Sequence, residues 1–144
     1  MSDGEANPKD AAGRAKIPLH LWPPSATAFG SIGFLEGQLK YGRSNFRATD
    51  VAASVYYAAA KRHLDAWWEG EENTKEGGPH LGNALACIAI IVDAQVNGTL
   101  VDDRQYVPND GAYGRMVEAL TAASVKLKAL FGDRKPKDWD RRDQ

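Results

Sequence analysis

Residues 81–96 constrain this chain more than any other stretch. They read Leu-Gly-Asn-Ala-Leu-Ala-Cys-Ile-Ala-Ile-Ile-Val-Asp-Ala-Gln-Val and are apolar on most sides of a helix. A helix with so little polar surface needs neighbours nearly all round. Its ends are marked as well. Pro79 suits a helix start, where a missing N–H costs nothing, and Asn97-Gly98 supplies the stop. A segment of this kind predicts an all-α fold, a bundle of about four helices. The bundle is either closed within one chain or completed by homo-oligomerisation, and a homo-oligomer is the preferred expectation.

The remaining helices follow from spacing. Ser25 is expected to cap a helix over residues 25–41, with Ala28, Ile32, Leu35 and Leu39 on its inner face. Gly30, Gly33 and Gly37 weaken it by about 1 kcal/mol each unless another backbone packs close. A loop over residues 43–49 precedes Asp50, expected to cap a helix that runs to about Glu69. Its stripe is Val51, Val55, Ala59 and Trp67, with Tyr56, Ala60 and Leu64 alongside. An acidic, glycine-rich turn over 71–78 leads to the apolar helix. A connector over 99–109 follows, and then a helix over 111–131 with Met116, Val117, Leu120, Val125 and Leu130 as inward candidates. Residues 1–15 are expected to be a disordered leader, 16–131 one helical domain, and 132–144 a charged, mobile tail.

Composition narrows the function. With 18 basic and 19 acidic residues in 144, the chain lacks the basic surplus of a duplex nucleic-acid binder. No uninterrupted apolar run reaches about 18 residues, so no membrane partner is expected. The polar start lacks a signal core, and the one cysteine, Cys87, has no partner for an internal disulfide. These point to the cytoplasm. Glycine-rich phosphate loops ending in Lys-Ser/Thr, zinc-type Cys/His spacings and nucleophile elbows are all absent.

The candidate chemistry lies between Arg62 and Asn83. His63 stands one turn after Ala59 and one turn before Trp67, facing the interior or a cleft. A satisfied core histidine is its plain role; a metal ligand or proton-transfer group is the functional one. Glu71, Glu72 and Glu76 follow within one turn, and such carboxylates repel each other unless a cation sits among them. Oxygen donors suit Mg²⁺ or Mn²⁺. His80 and Asn83 share a face at the start of the next helix, where backbone N–H groups favour anions. Arg62 can pair with phosphate oxygens. Lys40, Tyr41, Asn45 and Arg47 flank the first loop. Lys40 and Arg47 can reach phosphate, Asn45 a base edge, and Phe46 can stack on a base.

In order, Lys16-Ile-Pro-Leu…Pro24, Lys40-Tyr-Gly…Asn45-Phe-Arg, Arg62-His-Leu…Trp67…Gly70-Glu71, His80-Leu…Asn83-Ala and Gly98-Thr-Leu-Val-Asp-Asp-Arg104 form a recognisable series. It resembles the phage dATP/dGTP diphosphohydrolase N-terminal domain, a relative of the all-helical MazG-type pyrophosphohydrolases. The resemblance covers residues 16–104. It implies cleavage of dATP or dGTP between the α and β phosphates, with Mg²⁺ or Mn²⁺, in a phage remodelling the nucleotide pool of its host's cytoplasm. Thr74 stands near the place of a usual aspartate, and Asn83 in that of a second histidine.

On this reading His63, Glu71, Glu72 and Glu76 surround the cation, Glu76 and His80 are catalytic, and His80 orients or deprotonates the attacking water. Lys40, Tyr41, Asn45, Arg47, Arg62 and Asn83 bind a purine deoxynucleotide. The alternative is a phage protein that sequesters a host signalling nucleotide without hydrolysing it.

Overall fold

The computed structural model describes residues 7–108 and 110–144. Among these the protein is mostly helical, in agreement with the all-α expectation. It divides into two compact units, Met1–Arg104 and Gln105–Gln144. The span 16–131, expected as one helical domain, crosses that boundary.

The first unit opens with a short helix, α1 (Pro8–Arg14), whose first turn is capped by the Asn7 side chain accepting from the Lys9 N–H (3.0 Å). This corrects the expected disordered leader over its described part; residues 1–6 and Asn109 lie outside the described residues. A 3-10 turn at Leu19–Leu21 leads to α2 (Pro24–Tyr41), then to the one-turn α3 (Asn45–Ala48). Strand β1 (Val51–Ala52) precedes α4 (Ala53–Trp68), and α5 (His80–Asn97) is followed by β2 (Leu100–Val101). The two strands are parallel, with Val51 opposite Leu100 and Ala52 opposite Val101.

Both expected N-caps were misplaced. At α2, Pro24 takes the first helical position, and Pro23, not Ser25, precedes it without a side-chain cap. At α4, Asp50 lies outside the helix because β1 intervenes. The cap comes from across the fold: Asp103 accepts the Ser54 backbone N–H (2.8 Å) and the Ser54 hydroxyl. No local pattern announces a cap 49 residues away. The C-terminal stop at Gly98 is as expected, with a left-handed φ of 73°.

Helix α5 is the centre of the unit, packed by α2 on one side and α4 on another. Its contact with α2 depends on two glycines. A Cβ on Gly33 would lie 2.8 Å from both the Ala86 Cβ and the Gly82 carbonyl oxygen; one on Gly82 would collide with the Phe29 carbonyl. The helices therefore meet backbone to backbone. In consequence α2 is turned relative to expectation. Gly30, Gly33 and Phe34 are half-buried, whereas Ile32, Leu35 and Leu39 are exposed. Helix α4 is turned likewise. Ala53, Tyr56, Ala60 and His63 face inward at helical steps of three, four and three, and Val55, Leu64 and Trp67 are exposed.

The buried apolar side chains are correspondingly small: Val51, Ala53, Ala60, Ala84, Ala86 and Ala94. Ile88, Val92 and Val96 on α5 remain exposed. At 18 residues, α5 is long and apolar enough to cross a membrane by length and composition alone. Its uninterrupted apolar run, Ala84–Val92, is shorter, as the sequence indicated. Its Asp93 is paired with Arg47, and its buried face is taken by α2 and α4.

The second unit holds α6 (Ala112–Leu130) and a 3-10 turn, Arg141–Asp143, closed by reciprocal Asp140–Asp143 capping. No residue of α6 is buried. Met116, Val117, Leu120, Val125 and Leu130, expected inward, are exposed, because the unit itself supplies no second long element to cover them.

Candidate active site

A cleft of about 610 Å³ opens between α2, α3, α4 and α5. Its apolar lining includes Phe34, Phe46, Tyr56, Ala86 and Ile90, and its rim carries Lys40, Tyr41, Arg43 and Asn45. Phe34 and Phe46 meet edge to face with centroids 5.5 Å apart, fixing α3 against α2. The volume is in the range of small-molecule sites, about 300–1,000 Å³.

Two polar groups of the cleft come from facing helices. Asn83, 7% exposed, donates from Nδ2 to Glu36 Oε2 (3.1 Å). Its Oδ1 is buried without a hydrogen-bond partner. An unsatisfied buried acceptor costs about 1–3 kcal/mol, so this orientation is held by its surroundings: Gly33 packs against that oxygen and Glu36 claims the amide N–H₂. Lys40 stands 3.5 Å from Glu36 Oε1, one turn along α2.

At the cleft's edge, His63 Nδ1 and His80 Nδ1 are 2.9 Å apart. One of these atoms must donate and the other accept, so the pair shares a single Nδ1 hydrogen. Burial, and then the neighbouring His80, push the His63 pKa below the usual histidine value. His63 lines the cleft and keeps Nε2 free of the pair; His80, 9% exposed, stands behind it. The Nε2 of His80 lies 3.7 Å from Glu71 Oε2.

The acidic turn sends its carboxylates to different places. It is pinned by backbone bonds from the Glu71 N–H to Ala66 (2.9 Å), the Thr74 N–H to Gly78 (2.8 Å) and the His80 N–H to Glu72 (3.0 Å). Glu71 approaches His80. Glu72 lines a second, smaller cleft with Phe29, Trp67 and Leu81. Glu76 has its carboxyl held below the usual range by its own backbone N–H and by Lys40. Among the described residues, no three His, Cys, Asp or Glu side chains converge as a metal cage, so His63, Glu71, Glu72 and Glu76 do not meet as a set.

Of the other expected ligand-binding residues, Lys40, Tyr41, Asn45 and Asn83 line the main cleft. Arg47 does not. Its Nε and Nη2 donate to Asp93 at 3.0 and 2.8 Å, tying α3 to α5. Arg62 is exposed on α4 and lies outside the lining. Cys87 lines the cleft as a half-buried thiol whose pKa burial pushes up, in keeping with an inert role.

Sequence reasoning missed Glu36 and Arg43. Glu36 is the only acidic residue of α2, four positions before Lys40. A lone carboxylate in an apolar, glycine-rich helix was the available signal.

The family described as dATP/dGTP diphosphohydrolase, N-terminal, matches residues 6–104. The chain belongs to this family. The match spans more than two thirds of the sequence and ends at Arg104, where the first compact unit also ends. The whole cleft lies within the dATP/dGTP diphosphohydrolase N-terminal region, and α6 lies outside it. The family's name supports nucleotide hydrolysis in general terms. No curated protein and no solved structure matches the chain.

Proposed function

We propose that this protein hydrolyses purine deoxynucleoside triphosphates, dGTP or dATP, to the monophosphate and pyrophosphate. We place it in phage nucleotide-pool remodelling in the host cytoplasm. The observation that carries this reading is the His63–His80 pair at the edge of an aromatic-lined cleft inside the family-matched region. The walls suit a base, and Lys40 and Arg43 on the rim suit phosphates.

In this reading His63 accepts the proton of the attacking water at Nε2. A histidine held neutral by burial is competent for that step near neutral pH. His80 takes up the Nδ1 side of His63 and fixes the ring's orientation. The sequence-based expectation had the roles reversed, with His80 as base and His63 on the metal.

Mg²⁺ or Mn²⁺ is the proposed cofactor. Mg²⁺ commonly takes one or two protein carboxylates and completes its shell with substrate phosphates and water, so a full protein cage is not needed. Glu71, an exposed oxygen donor beside His80, would hold it. When bound it would neutralise charge on the transferring phosphoryl group.

A nucleotide panel with either metal, resolved by product chromatography, tests the proposal. Monophosphate and pyrophosphate are expected, and His63→Gln should lower turnover by about 10²–10⁴. Undiminished turnover in both His63→Gln and His80→Ala would sink it.

The scattering of Glu71, Glu72 and Glu76 favours a second reading, capture of the nucleotide without cleavage. Stabilisation by nucleotide with no product under either metal would select it. We also propose a homo-oligomer, in which a second copy covers the exposed Ile32, Leu35 and Leu39 of α2 or Ile88, Val92 and Val96 of α5. Sedimentation at monomer mass would exclude it.

A further inference from the structure

We infer that the cleft reads the Watson–Crick edge of guanine, with Glu36 as the specificity-determining residue. The inference rests on the purine deoxynucleotide reading and adds a choice of base to it.

Glu36 is the one carboxylate among the residues that line the cleft. Glu36 has two carboxylate oxygens with about four lone-pair directions, and Asn83 and Lys40 occupy only part of that capacity. Asn83 Oδ1 is buried at the α2–α5 crossing, so Asn83 serves to position Glu36. Asn83 cannot turn its amide to offer an N–H instead, because its Nδ2 is committed to Glu36 at 3.1 Å. Its oxygen also sits against Gly33, where the helices meet.

Adjacent acceptors select adjacent donors. Guanine presents N1–H and the N2 amino group side by side, the arrangement that a carboxylate binds in pairs. Adenine presents the N1 lone pair in that place, which would face the carboxylate oxygens with no hydrogen between them. The aromatic side chains Phe34, Phe46 and Tyr56 line the same cleft and offer surface to either purine. They add affinity and leave the choice to Glu36. Arg43, which also lines the cleft, suits the phosphates of a base bound in this way.

The test compares kcat/KM for dGTP, dITP and dATP in the native protein and in Glu36→Gln. Glutamine is close to isosteric and can still accept from Asn83, and circular dichroism verifies the fold. The native protein is expected to prefer dGTP over dATP by about tenfold or more, in line with one charge-assisted hydrogen bond. dITP, which keeps N1–H and lacks the N2 amino group, falls between them. In Glu36→Gln the dGTP/dATP ratio collapses towards one, with most of the loss on dGTP, because the new amide can offer an N–H to adenine N1.

A native preference for dATP, equal use of both, or a parallel loss on both nucleotides in Glu36→Gln overturns the inference. If the native protein cleaves neither nucleotide, the hydrolase reading has failed separately. The base choice is then decided by calorimetric Kd values for the same nucleotides and variant. The same ratios support guanine reading, and equal values overturn it.

Discussion

Gly30 and Gly33 on α2 lie against α5, while Ile32, Leu35 and Leu39 on the same helix lie open. By hydrophobicity alone the arrangement should be reversed. Close backbone approach explains it: two glycines let α2 and α5 meet without Cβ atoms between them, and only one face of α2 can do this. The glycine face also brings Glu36 to Asn83 and so builds the cleft. The larger apolar face of α2 stays exposed. Small residues here specify geometry, and large ones stay at the surface.

The strongest way to break this contrast is Gly33→Ala. Helix propensity would favour alanine by about 1 kcal/mol, but overpacking against Ala86 and the Gly82 carbonyl costs about 3 kcal/mol. A net loss of about 2 kcal/mol is expected in urea unfolding, and a stabilised variant would refute the close crossing. Next comes Asp103→Ala, which removes the cap of α4 and should lower the urea midpoint by less than Gly33→Ala does. Asp102→Ala is its control. Arg104 holds the Asp102 carboxyl down, to about 2, yet that pair is solvent-exposed. Its loss should leave the urea midpoint nearly unchanged. Equal effects of the two substitutions would contradict the cap.

A smaller effect is expected from pH. Burial and His80 lower the His63 pKa below its ordinary 6.5, so the unfolded chain binds more protons just below that pH. The His63 contribution is therefore fully present above pH 6.5 and is lost as pH falls towards the folded-state value. Melting temperatures between pH 7.5 and 5 should fall more steeply in the native protein than in His63→Asn. Parallel slopes would show that His63 does not titrate as described. The smallest change on the chain's own stability is predicted for Leu39→Gln, within about 0.5 kcal/mol. The same substitution should weaken self-association measured by sedimentation. A stability loss matching that of Gly33→Ala would place Leu39 in a core and end the contrast between the faces.

Much of the helical framework was legible in the sequence. Pro79 and Gly98 bracket α5 because a helix start tolerates proline and a helix end favours left-handed glycine, and both effects act within a few residues. The all-α class, the inward position of His63, and Lys40, Tyr41, Asn45 and Asn83 at one site were also readable. Spacing failed where the deciding partner is distant. The α4 cap is Asp103, and Arg47 is taken by Asp93. Glu36 became part of the site only when α2 crossed α5.

The sequence by itself determined where helices start and stop, because capping and periodicity are local. Only the tertiary structure decided which face of α2 and α4 turns inward, and where Glu71, Glu72 and Glu76 each point. The physical reason is that backbone proximity at Gly33 and Gly82, a contact between residues 49 positions apart, outweighs the burial of larger side chains within a single chain.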